Sequence, residues 1–169
     1  MTMKRFLLIL ICLAAAVPVF AQNKDYPSPD GKYCLTFNAT DKQYYMHDNR
    51  MDYTYCITCD DVDDSFDNGI DPVWRVDSRY VYLSGKYDIW QIDITRAIAP
   101  LKIDKRKKDS PVKYFLVYDG GTLSRSATIY MTTVNTVTGE SGYATFFQKG
   151  YAYRYRNYKE KPSKCSNSY

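Results

Sequence analysis

The sequence predicts an all-β fold, an antiparallel meander or sandwich-like domain with blade-like hairpins and little helix. Three observations carry this. Beyond Gln22 the chain holds all 18 of its tyrosines and 12 threonines, but only 5 leucines and 6 alanines. Tyrosine and threonine suit a pleated, half-buried surface, whereas leucine and alanine favour helix. The acidic residues are 17 aspartates against two glutamates, Glu140 and Glu160. Aspartate bonds its own backbone in turns and caps and so competes with helix. Finally, turn residues recur at short intervals: Pro29-Asp30-Gly31, Asp48-Asn49, Asp67-Asn68-Gly69, Ser84-Gly85, Asp119-Gly120-Gly121, Thr138-Gly139 and Lys149-Gly150.

Strands are expected between these marks, near Lys32–Asn38, Tyr53–Thr58, Tyr80–Leu83, Tyr87–Ile94, Val112–Tyr118, Ala127–Val134, Tyr143–Gln148 and Tyr151–Arg156. In the last, Tyr151, Tyr153 and Tyr155 share one face, and Ala152, Arg154 and Arg156 the other. Lys149-Gly150 is the expected two-residue loop before it. The segment Tyr45 to Arg50 reads as a polar turn. The acidic stretch Asp60 to Asp71 and the basic stretch Lys102 to Asp109 read as exposed loops or hairpin tips.

Residues 1–21 read as a secretory leader. Lys4 and Arg5 form a charged start, Phe6 to Val17 an apolar run, and Val19-Phe20-Ala21 places small residues where a signal peptidase cuts. Residues 22–158 are then one β-rich domain and 159–169 a tail, and the protein is expected to be exported, periplasmic or extracellular. Cys12 follows Ile11 rather than a small residue, which argues against a lipid anchor. Without the leader 148 of the 169 residues remain, and the balance falls from +4 to +2, twenty-one basic residues against nineteen acidic. That excess is too small to favour nucleic acid as a partner. No second apolar stretch approaches the ~20 residues of a membrane helix.

An internal echo lies at an offset of 47 residues. Ser28-Pro29-Asp30-Gly31-Lys32-Tyr33-Cys34-Leu35 aligns with Arg75-Val76-Asp77-Ser78-Arg79-Tyr80-Val81-Tyr82, and the second copy runs on through Tyr87-Asp88-Ile89-Trp90-Gln91-Ile92-Asp93-Ile94. Over about residues 26–37 and 73–94 this resembles the blade repeat of TolB-like (WD40-like) β-propellers. The resemblance implies four-stranded meanders opened by an Asp-Gly turn. A fainter third echo starts at Ser110-Pro111. Closed propellers take at least about four blades of about 40–50 residues, and this chain offers three.

Four cysteines remain beyond the leader, Cys34, Cys56, Cys59 and Cys165, and allow three pairings. Structural disulfides among them are the leading expectation. Cys56-Ile57-Thr58-Cys59 follows a strand rather than opening a helix. Asp60 and Asp61 beside it would raise the thiol pKa, unlike a redox centre.

Catalytic motifs are scarce. His47 is the only histidine, and neither a Gly-x-Ser-x-Gly elbow, a phosphate-binding loop nor a His-x-x-x-His pair occurs. Carboxylate catalysis by a small Asp-dependent hydrolase or glycan-active enzyme is the alternative that the composition leaves open. Hard oxygen ligands crowd the loop bearing Asp60, Asp61, Asp63, Asp64 and Asp67, which makes calcium the one cofactor to test, although the EF-hand spacing fails at Asn68 and Trp74. Lys105 to Lys108 reads as a solvated tip. The most distinctive feature is tyrosine, which supplies rigid contact area with a polar end. The expected function is therefore non-enzymatic binding of a protein or glycan through a tyrosine-rich surface. Tyr151, Tyr153 and Tyr155 with Arg154 and Arg156 are the nominated patch. An envelope structural protein assembling through blade-like meanders is the further alternative.

Overall fold

The computed structural model describes residues 24–159 except 61, 63, 67–69, 87, 105, 108, 118–120, 150 and 151, with the backbone alone at 148, 149, 152–155 and 158. The described residues form twelve strands and no helix. They are β1 (Lys24–Pro27), β2 (Tyr33–Asn38), β3 (Gln43–Asp48), β4 (Tyr53–Cys56), β5 (Val73–Trp74), β6 (Tyr80–Ser84), β7 (Ile89–Asp93), β8 (Leu101–Lys102), β9 (Val112–Leu116), β10 (Thr128–Asn135), β11 (Ser141–Lys149) and β12 (Ala152–Tyr158). Each consecutive set of four makes one antiparallel meander in chain order, so the all-β expectation holds as three four-stranded sheets.

The middle sheet is covered on both faces. On β6 every residue from Tyr80 to Ser84 is buried. Val81 and Leu83, with Trp74, Ile92 and Ile94, pack with Leu35, Tyr44 and Met46 of the first sheet. Tyr82, with Val73 and Ile89, packs with Ile129, Met131, Ala144 and Phe146 of the third. Alternation along a strand sends neighbouring side chains to opposite faces, so one run of five residues serves two cores. The first and third sheets each contribute one face and leave the other outward.

The two sequence echoes fold alike. In the β1–β2 turn Ser28 N donates to Tyr33 O and Gly31 N to Ser28 O, both at 2.9 Å. In the β5–β6 turn Arg75 N donates to Tyr80 O and Ser78 N to Arg75 O, again at 2.9 Å. Gly31 and Ser78 both lie in the left-handed region, at φ 69° and 55°. The turns also touch, the Asp30 amide donating to Ser78 Oγ at 3.0 Å. A second repeated turn joins β2 to β3 and β10 to β11. There Asn38 and Asn135 each accept on Oδ1 the amide two residues on, at 2.9 Å from Thr40 and from Val137.

Several expectations are corrected. Tyr45 to Asp48 is strand rather than turn, and the turn starts only at Asn49: His47 lies in β3, because Tyr44 and Met46 alternate into the core beside Leu35. The stretch from Lys102 begins in strand and core rather than in an exposed tip, since Lys102 ends β8 and Ile103 and Asp104 are wholly buried, whereas Lys107 and Asp109 further on are exposed. The acidic loop is pinned by Val62 and Phe66 in the first core. Lys149 pairs with Ala152 and so belongs to β11 rather than to the expected Lys149-Gly150 loop; residues 150 and 151 lie outside the described residues. The Ser110-Pro111 echo precedes β9, whereas the other two copies sit between the first and second strands of their meanders. In the third meander that connection is residues 117–127. Its Leu123 donates to Trp74 O at 2.8 Å and accepts from Val76 N at 2.7 Å, covering the free edge of β5.

Gly85 shows how closely the loops are fitted. A Cβ there would lie 2.1 Å from Asp64 Oδ2, whereas one at Gly31 would meet nothing within 4 Å. Gly85→Ala is therefore expected to cost about 2 kcal/mol or more through steric overlap. Gly31→Ala should cost about 1 kcal/mol, from left-handed strain alone. Urea unfolding measures both, and the combined Asp64→Ala, Gly85→Ala variant should lose much less than the two losses added. Strict additivity would overturn this account.

Candidate binding surface

The aspartates are spent largely on the fold. Asp30, Asp41, Asp48, Asp77, Asp93 and Asp104 each accept on Oδ1 the backbone N–H two residues on, from Lys32, Gln43, Arg50, Arg79, Thr95 and Arg106. This is the aspartate turn, in which the short side chain stands in for a backbone carbonyl; a glutamate is one methylene too long for the same ring. Arginines then pair with three of these carboxylates. Arg79 reaches Asp93 at 2.8 Å, Arg75 reaches Asp77 at 2.5 Å, and Arg50 reaches Asp48 at 2.8 Å. Burial works to raise the carboxyls of Asp77 and Asp93, but Arg75 and Arg79 outweigh it and hold both below the usual range.

Of the calcium candidates, Asp61, Asp63 and Asp67 lie outside the described residues, and Asp60 is exposed. Asp64 turns inward. Its Oδ1 accepts from Ser65 N at 2.8 Å, and its Oδ2 accepts from Asp88 N at 3.0 Å and Trp90 Nε1 at 3.1 Å. Among the described residues no group of three or more His, Cys, Asp or Glu side chains converges as a metal site.

Beside Asp64 lies a buried charged centre. Arg106 binds Asp88 with two nitrogens, at 2.5 and 3.2 Å, and Lys102 stands 3.6 Å from the same carboxylate. Arg106, read from sequence as part of a solvated tip, has a side chain only 9% exposed. Asp104 is wholly buried and also accepts the Ile89 amide at 2.9 Å. Burial, with Asp88 nearby, pushes its carboxyl up to about 6.

The histidine and cysteines do not make a nucleophilic site. Register pairs Cys34 with His47 on the outer face of the first sheet. His47 Nδ1 lies 2.9 Å from Thr54 Oγ1, and Nε2 3.8 Å from Asp52. Burial pushes the free Cys34 thiol up, and the Asp25 carboxylate adds to the effect, the reverse of what a thiolate nucleophile needs. Cys56 and Cys59 form a disulfide with Cα atoms 5.7 Å apart, just after β4. Cys165 lies outside the described residues.

Of the nominated tyrosine patch, Tyr151 lies outside the described residues, as do the side chains of Tyr153, Arg154 and Tyr155. Register pairs Tyr155 with Phe146, a core residue, and Tyr153 with Gln148. Arg156 pairs with Thr145 on the other side of the sheet and is exposed. Positions 153 and 155 thus share the core side of the strand.

The described structure carries a different aromatic ladder at the edge of the first sheet. Tyr53, 61% exposed, stacks on Tyr55 with centroids 5.9 Å apart at 21°. Arg96 of the β7–β8 connection covers Tyr55 with its guanidinium 4.6 Å from the ring. The Tyr55 hydroxyl donates to Ile94 O at 2.7 Å, and Arg96 donates to Cys56 O at 2.5 Å, so the ladder is clamped to the second sheet. Alongside opens a cleft of about 140 Å³, lined by Ile57, Asp60, Ile92, Arg96, Ile98 and Pro100 among others. Met51 and Ile98 add exposed apolar surface, and Arg50 covers the Tyr33 ring at 5.1 Å. The alternation Tyr53-Thr54-Tyr55, read from sequence only as part of a strand, is the signal that could have marked this pair. Arg96, 41 positions beyond Tyr55, carried no local signal.

Neither a protein-family profile nor a curated protein matches the chain.

Asp104 has a measurable consequence. An ordinary aspartate titrates near 3.8 and folded Asp104 near 6, so between these values the folded state holds the proton more tightly. Stability from this group is complete below pH 3.8 and is lost as pH rises through about 6, on the order of 3 kcal/mol in all. Asp77 and Asp93 act oppositely, losing stability as pH falls below the ordinary value. Chemical denaturation across pH 3.5 to 7.5 should show wild-type stability declining between pH 4 and 7. In Asp104→Asn that decline should vanish, whatever the overall level. An unchanged slope would refute the assignment.

Proposed function

We propose that this chain is an exported, non-enzymatic β-rich protein that binds a protein or glycan ligand through a tyrosine-rich surface centred on Tyr53, Tyr55 and Arg96. The observation that carries the reading is the clamped ladder itself. An exposed ring, a second ring held by its own hydroxyl and a guanidinium over that ring form a preorganised contact that loses little side-chain freedom on binding. Aromatic rings and arginine are the residues most enriched where binding energy concentrates, and a flat tyrosine also stacks on sugar rings. The adjoining cleft of about 140 Å³ takes one small side chain or substituent rather than a whole substrate.

Export is supported by the leader pattern over residues 1–21 and by the Cys56–Cys59 disulfide, a bond that persists in oxidising compartments. The non-enzymatic reading is supported by the use of Asp48, Asp77, Asp88 and Asp93 as arginine partners and by the raised Cys34 thiol. The TolB-like blade ancestry of the first two meanders is part of the same reading. Its support is the shared hydrogen-bond scheme of the turns at Ser28–Tyr33 and Arg75–Tyr80.

The test is a binding screen of the exported chain against a glycan array and an envelope-protein extract, repeated with Tyr53→Ala and Arg96→Ala. Ligands bound by the wild type should weaken at least about 10-fold with either variant, in keeping with a loss above 1 kcal/mol at a binding hot spot. Tyr53→Ala should melt within a few degrees of wild type, because that ring is largely exposed. Ligands retained equally by both variants would remove this surface from the function.

A further inference from the structure

The three sheets stack face on face, and among the described residues no further strand covers the outer face at either end of the stack, the two faces differing in character. On the third sheet, register sets Phe115 opposite Thr132, Thr132 opposite Tyr143, Thr128 opposite Phe147, and Tyr130 opposite Thr145. These positions alternate with Met131, Ala144 and Phe146, which fill the second core, so they face away from it. Phe115 is 38% exposed, and Tyr130, Tyr143 and Phe147 are half-buried. Lys113 and Arg156 fall on the same side, opposite Val134 and Thr145, as does position 154, opposite Phe147. This end is aromatic and cationic.

The first sheet ends differently. Tyr33, Leu35, Phe37, Tyr44 and Met46 pack at the first core. The alternate positions Asp25, Cys34, Thr36, Tyr45 and His47 form the outer face, in the rows Asp25–Thr36–Tyr45 and Cys34–His47–Thr54. Asp25, held by the Thr36 hydroxyl at 2.6 Å, is exposed, and Asp52, almost wholly exposed, stands beside His47 at the β3–β4 turn. Lysine and arginine are missing from these rows. This end is polar and anionic.

We infer that the occupant of the third sheet's outer face is the first sheet of a second copy of this chain, so that copies associate head to tail. Inside the chain both cores arise by laying one such sheet face on the next, and the same contact between copies continues the stack. The end faces complement each other in charge: Lys113 and Arg156 meet Asp25 and Asp52. Because the two faces lie at opposite ends of the stack, the contact is heterologous, and its repetition makes a ring or a filament. Facing charges of this kind speed encounter and choose the register, and they make the association sensitive to salt. Tyr53 and Tyr55 alternate with Thr54 along β4, so the ladder and the docking face lie on opposite sides of the first sheet.

Sedimentation velocity on the exported chain, from micromolar to submillimolar concentration at low and high salt, tests the inference. Wild type should pass from monomer to a larger species as concentration rises, more readily at low salt. Arg156→Glu and Asp25→Lys should each weaken association at least 10-fold, and an equimolar mixture of the two should recover it, because each variant's altered face then meets a face of opposite charge. Melting curves establish that both variants are folded, and Asp52→Lys replaces Asp25→Lys if loss of the Thr36 contact lowers stability. A monomer under every condition overturns the inference. So does association that neither variant alters, or that mixing does not restore.

Discussion

Burial of the middle sheet on both faces is the constraint on which the other features depend. Strands β5 to β8 place Val81, Leu83 and Ile92 in one core and Val73, Tyr82 and Ile89 in the other. Among the described residues neither flanking sheet packs on any sheet but this one. Antiparallel meanders of four strands are individually marginal when one face is bare, and the shared central layer lets three of them form one cooperative unit.

A layer buried on both sides leaves no water for its polar groups, so charge is confined to its ends and paired there. At one end Arg75 and Arg79 both sit over the Tyr80 ring, at 4.1 and 5.2 Å, and bind Asp77 and Asp93. At the other, Arg106 and Lys102 neutralise Asp88, while Asp104 takes backbone amides and rests with a raised affinity for its proton. Removing one member of such a pair costs far more than the pair contributes, because the remaining charge stays buried. The aspartate excess and the arginines are thus largely architectural. The surface left for recognition is aromatic, and it lies on the flanking sheets rather than on the covered one.

Much of this was legible along the chain. Eight strands were visible from tyrosine- and threonine-rich alternation between turn residues, and the 47-residue echo located two turns that fold alike. The elements missed, β1, β3, β5 and β8, fail for separate reasons. β5 and β8 have two residues each, too few to show a period. β3 hides its alternation of Tyr44, Met46 and Asp48 behind the polar residues between them, since Asp48 is buried through its pairing with Arg50. The binding surface was half legible. Tyr53 and Tyr55 advertise a shared face two residues apart, as Tyr153 and Tyr155 do, and nothing local distinguishes a face turned to solvent from one turned to a core.

The amino-acid sequence by itself determined the fold class, the meander pattern and the Asp-Gly-type turns, because these depend on alternation and on backbone preferences acting over a few residues. Tertiary structure decided which tyrosines are covered, which aspartates are consumed by arginines, and where Arg96 meets Tyr55. Several of those outcomes depend on distant contacts, Asp93 with Arg79 at 14 positions, Asp88 with Arg106 at 18 and Tyr55 with Arg96 at 41, set by the packing of strands and sheets. Local preference carries no information about such contacts until the sheets have packed.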